Sequence, residues 1–237
     1  MFRPLVKLLA ALLLAAPAPA AAHTFMQSDF TCPLDGHKFA ATVDGSGTRF
    51  GQRLDLKPLG PTPAPWRIPV CPRCGYVLYK KTKQEMSAKE RKLLPRYIRS
   101  KAYRRDARGE SSYYRLGLIW EHLGSPPGAV AYAYLRASWQ VERQPNRYRV
   151  YLERALKHYR AALGKGGYKK GGSVTTAFLV GEIERQLGRF GVAKVHFSKL
   201  QGLAAFNKEP FATMIPFELQ LIKKRDSKPH AVPRKKP

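Results

Sequence analysis

The segment Cys71-Pro72-Arg73-Cys74-Gly75-Tyr76 places two thiols on either side of a two-residue spacer. Its glycine permits a tight turn that points both sulfur atoms at one ion, so the segment is half of a tetrahedral metal site. A partner half lies upstream, in Cys32-Pro33-Leu34-Asp35-Gly36-His37. Together the halves predict a small zinc-ribbon-like β head over residues 23–80, in which Cys32, Cys71 and Cys74 bind a structural zinc ion.

Two residues of the first half are candidates for the fourth ligand. Asp35 stands where a usual knuckle has its second cysteine, and His37 follows two positions later. Imidazole is the more usual companion of three thiolates on zinc, although carboxylate is also found. The sequence slightly favours His37, with Asp35 as the alternative; a water ligand, a turn-capping role for Asp35 and a surface position for His37 also stay open.

The two cysteines of the second half have a rival interpretation as a redox pair. Exported oxidoreductases carry such pairs at the start of a helix in a thioredoxin-like unit. Here the β-rich run Gly75-Tyr76-Val77-Leu78-Tyr79 follows the second thiol, and no βαβ pattern surrounds it. Three cysteines also make an odd number, which argues against a simple disulfide framework. The context therefore favours metal over a redox or an inert disulfide.

The charge and the N-terminus bear on partners and location. Lys and Arg number 43 against 16 Asp and Glu, giving a formal net charge of +27, and such an excess implies an anionic partner. The first 22 residues have the pattern of a secretory signal: Arg3 and Lys7, an apolar run over residues 8–16, and a small-residue end at Ala22. We therefore predict export across the inner membrane to the periplasm, where chromosomal nucleic acid is a poor candidate partner.

The composition is 44% hydrophobic, which is sufficient for a packed core. The predicted fold class is α+β, mostly α, with the β head followed by a tetratricopeptide-like helical-repeat body. We divide the chain into a signal peptide (1–22), the head (23–80), a basic amphipathic connector (81–110), the helical body (111–205) and a basic C-terminal tail (206–237). The tail is predicted to contain one amphipathic segment, 211–222, and then a disordered basic end.

The body has the helical period of apolar residues. Helices are predicted over 111–124, 129–142 and 147–163. The stretch 177–200 then has the helix-turn-helix spacing of a tetratricopeptide repeat, with Gly181 small so that two helices approach closely. Tyrosines at helical spacing are expected in the core and lining a groove. Glu182 and Glu184 are expected on the surface, paired with nearby Arg185 and Arg189. Stacked helix pairs form a concave face that commonly receives a peptide or protein segment.

These motifs together resemble a known bacterial family. The motifs are Cys32-Pro33, the segment 71–76, and Val180-Gly181-Glu182-Ile183-Glu184-Arg185-Gln186-Leu187-Gly188-Arg189-Phe190 with Ala193 and Phe197. Over roughly residues 28–203 the chain is similar to the domain of unknown function numbered 2225. The resemblance implies a cysteine-knuckle head on a tetratricopeptide-like body, and it implies no activity. The family pattern has a second cysteine where this chain has Asp35, which leaves the fourth ligand open.

The sequence offers no catalytic or cofactor-binding constellation beyond the zinc ligands. The first interpretation is therefore a non-enzymatic exported scaffold or adaptor that binds a protein segment or an anionic lipid or envelope polymer. The second is an exported thiol-disulfide oxidoreductase that uses Cys71 and Cys74. The third is a zinc hydrolase in which water takes an open ligand position.

Overall fold

The computed structural model describes residues 23–164 and 174–233. The predicted signal segment and residues 165–173 and 234–237 lie outside the described residues. The fold class is α+β and mostly helical, as predicted, with a small β hairpin at the N-terminal end. Within the described ranges, no helix has the length and apolar character needed to cross a membrane.

The head begins with this antiparallel hairpin. Strand β1 (His23–Thr31) pairs with β2 (Lys38–Gly47) from Thr31 opposite Lys38 to His23 opposite Gly47, with one irregularity near Thr24. Two short strands, β3 (Gly51–Gln52) and β4 (Pro58–Leu59), form a second antiparallel pair. The turn between β1 and β2 holds the first half of the predicted metal site, so the hairpin fixes the position of that half.

The basic connector forms two consecutive helices, α1 (Ala88–Arg99) and α2 (Lys101–Asp106). Helix α1 begins at a capping box in which the Ser87 hydroxyl accepts from the Glu90 backbone N–H and the Glu90 carboxylate accepts from the Ser87 backbone N–H. Leu94 and Ile98 are buried under it, while its cations face outward. The connector therefore packs one apolar face on the core and exposes one basic face.

Six further α-helices follow among the described residues, five in the predicted body and the last in the predicted tail, and each contacts the next along the chain. They are α3 (Ser112–His122), α4 (Pro127–Gln140), α5 (Pro145–Leu163), α6 (Val174–Gln186), α7 (Phe190–Gln201) and α8 (Phe211–Lys223). The predicted boundaries of α3 to α5 differ from these by a few residues. The Tyr stripe is largely core, as expected: Tyr113, Tyr114, Tyr134, Tyr151 and Tyr159 are all buried. Helix order alone does not establish a tetratricopeptide repeat, which stays a prediction.

Two helix pairs approach closely through glycines. A methyl group added at Gly181 of α6 would lie 2.6 Å from the Phe197 ring of α7. One added at Gly117 of α3 would lie 2.6 Å from the Tyr134 ring of α4. The close packing predicted at Gly181 is therefore present, because the aromatic ring of the neighbouring helix fills the space a side chain would need.

The core has two parts, and both include residues from outside the body. The larger part joins Cys32, Cys71 and Tyr76 of the head to apolar residues of α1 to α6. The smaller part lies among α6, α7 and α8 and contains Leu54, which comes from the loop after β3 and is fully buried. The head is thus packed into the helical body at two separate places.

The prediction of a disordered basic end is wrong for residues 226–233. The Arg185 guanidinium of α6 donates to the backbone carbonyls of Asp226 and Lys228 at 2.7 and 2.9 Å. The backbone N–H of Leu54 donates to the His230 carbonyl at 2.9 Å. Backbone hydrogen bonds to the core and to the head hold this segment in place, and the local sequence does not reveal such distant partners.

The expected surface positions of Glu182 and Glu184 are also wrong, because both side chains are fully buried. Glu182 and Glu218 both accept from Arg185, which is itself completely inaccessible to solvent. Glu184 pairs with Arg160 and Arg189. The pairing of these glutamates with nearby arginines is as predicted, and it is what makes their burial tolerable, since a buried charge needs a partner.

Candidate metal centre

Two turns of matching backbone geometry build the centre. In the first, the Cys32 N–H donates to the His37 carbonyl and the Gly36 N–H donates to the Cys32 carbonyl, each at 2.9 Å. In the second, Cys71 N–H donates to Tyr76 and Gly75 N–H to Cys71, each at 2.8 Å. Gly36 and Gly75 have φ values of +71° and +81°, which glycine adopts most readily. Asp35 and Cys74 therefore occupy equivalent positions in the two turns.

The two turns face each other and bring four side chains together. One donor atom each from Cys32, Asp35, Cys71 and Cys74 lies within 4.8 Å of the other three. The Sγ atoms of Cys32 and Cys74 are 3.7 Å apart, and the Cys71 Sγ lies 3.8 Å from an Asp35 carboxylate oxygen. All three cysteines are free thiols. Three thiols and one carboxylate, drawn from two chain segments, form a group that can hold a metal ion.

His37 is not a member of this group. Its ring stacks on Phe39, with ring centroids 6.1 Å apart and an interplanar angle of 11°. It follows the turn at the position that Tyr76 has in the second half, so its side chain leaves the knuckle. Of the two candidates for the fourth ligand, the structure places Asp35 beside the thiols and His37 away from them.

Arg73 holds the Asp35 carboxylate in position. Its Nε donates to one carboxylate oxygen at 2.9 Å, and its Nη2 also donates to the Asp35 backbone carbonyl. The His37 backbone N–H donates to the other carboxylate oxygen at 3.0 Å. Burial alone would raise the pKa of Asp35, but the bonds from Arg73 and His37 outweigh it and hold the pKa well below its usual range. The group is therefore an ionised carboxylate, as a metal ligand must be.

The three thiols differ in their electrostatics. A hydrogen bond with the Cys74 thiol lowers the pKa of Cys32 to about 7 despite its burial. The same hydrogen bond, together with burial, raises the pKa of Cys74, and burial raises that of Cys71. Of the three thiols, Cys32 is thus the one that ionises most readily.

The thiols of the centre are largely shielded from solvent, which reaches only Cys74 of the three. Cys32 and Cys71 are buried, while Cys74 is half-buried and borders a cavity of about 210 Å³ with Arg73, Arg99 and Arg104. The Cys71–Cys74 turn is flanked by a β-bridge between Val70 and Val77 and does not begin a helix. The turn therefore lacks the helix N-terminus that lowers thiol pKa values in redox motifs.

A comparison with protein families gives a match that covers most of the chain. The model of a family described as an uncharacterized protein conserved in bacteria, DUF2225, matches residues 25–216. The chain belongs to the DUF2225 family. The match includes both turns of the centre and the helices through the first part of α8. Searches of curated proteins and of solved structures gave no match.

The sequence of this DUF2225 chain gave no signal for Arg73, which fixes Asp35. It also gave none for the burial of Arg185 or for its bond to Glu218. A signal for Asp35 was present, because the hexapeptides 32–37 and 71–76 align as Cys-Pro-x-Asp-Gly and Cys-Pro-x-Cys-Gly. In that alignment Asp35 corresponds to Cys74. The position in the turn therefore predicts which residue lies beside the thiols better than the usual preference of zinc for imidazole does.

Proposed function

We propose that the protein is an exported, non-enzymatic adaptor whose head is held by a zinc ion at Cys32, Asp35, Cys71 and Cys74. Tetrahedral zinc with Zn–S bonds near 2.3 Å separates its sulfur ligands by about 3.8 Å. The separation of Cys32 and Cys74, 3.7 Å, supports this geometry and is the observation that carries the proposal. Three thiolates and a carboxylate would fill all four positions, which leaves none for a catalytic water and so favours a structural ion.

The adaptor role rests on the basic face of α1 and α2. Six exposed cations on these helices or just after α2 form no ion pair with any other described residue; they are Lys92, Arg96, Arg99, Lys101, Arg104 and Arg108. Uncompensated cations concentrated on one face attract an anionic partner, with an attraction that salt screens. This face and the helical body together support binding to an acidic protein segment or to an anionic envelope component.

Two measurements test the proposal. Metal analysis of the purified full chain should find one zinc per chain, and polyglutamate resin should retain the protein at low salt and release it at high salt. The charge-reversed variant Arg99→Glu/Arg104→Glu should be released at lower salt. Absence of zinc together with a reversible Cys71–Cys74 disulfide would favour the oxidoreductase instead. Retention that ignores both salt and charge reversal would count against the adaptor role.

Export is a separate part of the proposal and has its own test. Residues 1–22 fused to alkaline phosphatase should give active enzyme, because that reporter needs disulfides that form only outside the cytoplasm. A matched fusion in which the apolar run carries Leu12→Arg and Leu13→Arg should be inactive. Activity in both fusions, or in neither, would remove periplasmic location from the proposed function.

A further inference from the structure

Two cavities lie between the head and the helix pair α3–α4, one on each side of Arg136. The larger is about 1070 Å³ and extends to β1 and to residues 78–81. The smaller is about 830 Å³ and extends to the loop that contains Trp66. The two cavities share Tyr113, Tyr132 and Arg136 as lining residues. They thus form one groove along the junction, with a guanidinium at its centre.

Arg136 is held rigidly but is not neutralised. Its guanidinium carbon lies 4.1 Å from the centroid of the Tyr132 ring and 5.5 Å from that of Tyr113. One terminal nitrogen donates to the Tyr132 hydroxyl at 3.0 Å, but no described acidic residue pairs with it. Two aromatic faces position a cation without cancelling its charge, so the arrangement is prepared for an anionic group.

Two N–H donors of this helix face have no acceptor among the described residues. They are the Nε of Arg136 and the indole nitrogen of Trp139, one turn further along α4. Trp139 is only 5% exposed and lines the smaller cavity. A buried donor without an acceptor costs free energy, so a pair of them beside a cavity points to acceptor atoms supplied by something that occupies the groove.

The charges of the walls also select an acidic occupant. Besides Arg136, the cations Arg49, Lys80 and Lys81 line the groove without an ion pair among the described residues. The acidic lining residues are mostly engaged: Asp44 accepts from the Arg67 backbone N–H, and Glu90 accepts from Tyr79 and from the Ser87 backbone N–H. Asp29 alone faces the groove without a partner among these residues, so positive charge prevails.

The size and the strand edge favour an extended peptide over a small molecule. Small-molecule pockets are usually about 300–1,000 Å³, and the larger cavity alone reaches the top of that range. Four consecutive residues of β1, 28–31, line it. Together with Val43 and Asp44 of β2, this run places the groove along the β1–β2 hairpin. Within the described chain β1 is paired only with β2, so its other edge can add a strand.

We propose that this groove binds an extended acidic peptide segment of a partner protein, with a carboxylate of that segment paired to Arg136. The proposal rests on the adaptor function and gives the protein segment a specific site, in addition to the basic face of α1 and α2. Aromatic rings of Trp66, Tyr113 and Trp120 would contact the apolar side chains of the segment, and Lys80 and Lys81 would meet further carboxylates.

A displayed library of random dodecapeptides, selected on the zinc-loaded full chain, tests the site without assuming a sequence. We expect selection of peptides in which Asp or Glu alternates with apolar residues. Their affinity, measured by fluorescence anisotropy, should fall about tenfold or more in Arg136→Gln, the loss typical of a charged hydrogen bond. Arg143→Gln, an identical change at an exposed position just beyond α4, should leave affinity unchanged.

Failure of the site and failure of the adaptor role give different results. The proposed peptide site would be refuted by selected peptides that bind Arg136→Gln as tightly as the parent, or by a selection that yields no acidic peptide. Salt-dependent binding to polyglutamate, which tests the adaptor role, would be unaffected by either result. If Arg136→Gln does not fold by circular dichroism, Lys80→Gln/Lys81→Gln replaces it, because these side chains lie at the rim of the groove. Unchanged peptide affinity in that variant would likewise overturn the site.

Discussion

The Sγ atoms of Cys32 and Cys74 lie 3.7 Å apart although 42 positions separate the two residues in the chain. Each comes from a different turn, and no disulfide joins them. Such close approach of unbonded thiols, with a carboxylate on the same centre, is the arrangement that an ion stabilises. The contact also joins the β1–β2 turn to the segment that leads into α1, so the centre sets the placement of the head.

Removal of zinc should destabilise the whole chain. We expect chelation by EDTA, or the substitution Cys71→Ser, to lower the free energy of unfolding by at least about 3 kcal/mol, because the ion binds the folded state alone. Thermal unfolding followed by circular dichroism measures this effect. Arg143→Gln serves as the control and should retain the parental response to EDTA. An unfolding midpoint that EDTA leaves unchanged would contradict a structural ion.

Substitutions at the two candidates for the fourth ligand should differ. Asp35→Asn should weaken zinc affinity by more than about tenfold, a loss that even outer-shell partners can cause. His37→Asn should leave affinity unchanged, because its ring stacks on Phe39 away from the thiols. Asp35→Cys should bind at least as tightly as the parent, since it adds a fourth thiolate. Competition with a chromogenic chelator measures all three, and the reverse order for Asn at 35 and 37 would make His37 the ligand.

The close contact of α6 and α7 predicts opposite effects at two glycines. Gly181→Ala should destabilise the fold by about 1–3 kcal/mol, because its methyl group would overlap the Phe197 ring. Gly191→Ala, where nothing lies within 4 Å, should stabilise it by about 0.5 kcal/mol through higher helix propensity. Urea unfolding distinguishes the two. Equal effects would mean that α6 and α7 are not in contact at Gly181.

The buried carboxylates around Arg185 should make stability depend on pH. Burial, and then the neighbouring Glu182 charge, raises the pKa of Glu218 well above its usual value. Between pH 4.5 and the raised pKa, the folded chain holds a proton on Glu218 that the unfolded chain has released. The contribution of this group to the free energy of unfolding is therefore fully present below pH 4.5 and is lost as pH rises through the folded pKa. Glu218→Gln, which imitates the protonated group, should gain stability relative to the parent as pH rises. Parallel stability curves for parent and variant would refute this linkage.

How far the sequence could predict the structure differs between local and distant contacts. The small space at Gly181 and the clustering of the Cys71 and Cys74 thiols are encoded by short spacings, and each was predicted. The burial of Glu182 and Glu184 could not be, because it depends on arginines, on Glu218 and on carbonyls far along the chain. The fourth member of the cluster was predicted only as one of two alternatives. The usual ligand chemistry of zinc favoured His37, whereas the position within the turn favoured Asp35, and Asp35 is the residue beside the thiols.

The bond between Leu54 and His230 has a consequence for truncated variants. A chain cut before position 226 lacks this acceptor for the head's loop and both carbonyl acceptors of Arg185. Removing a short, irregular segment would therefore loosen the head and leave a buried guanidinium without two of its hydrogen bonds.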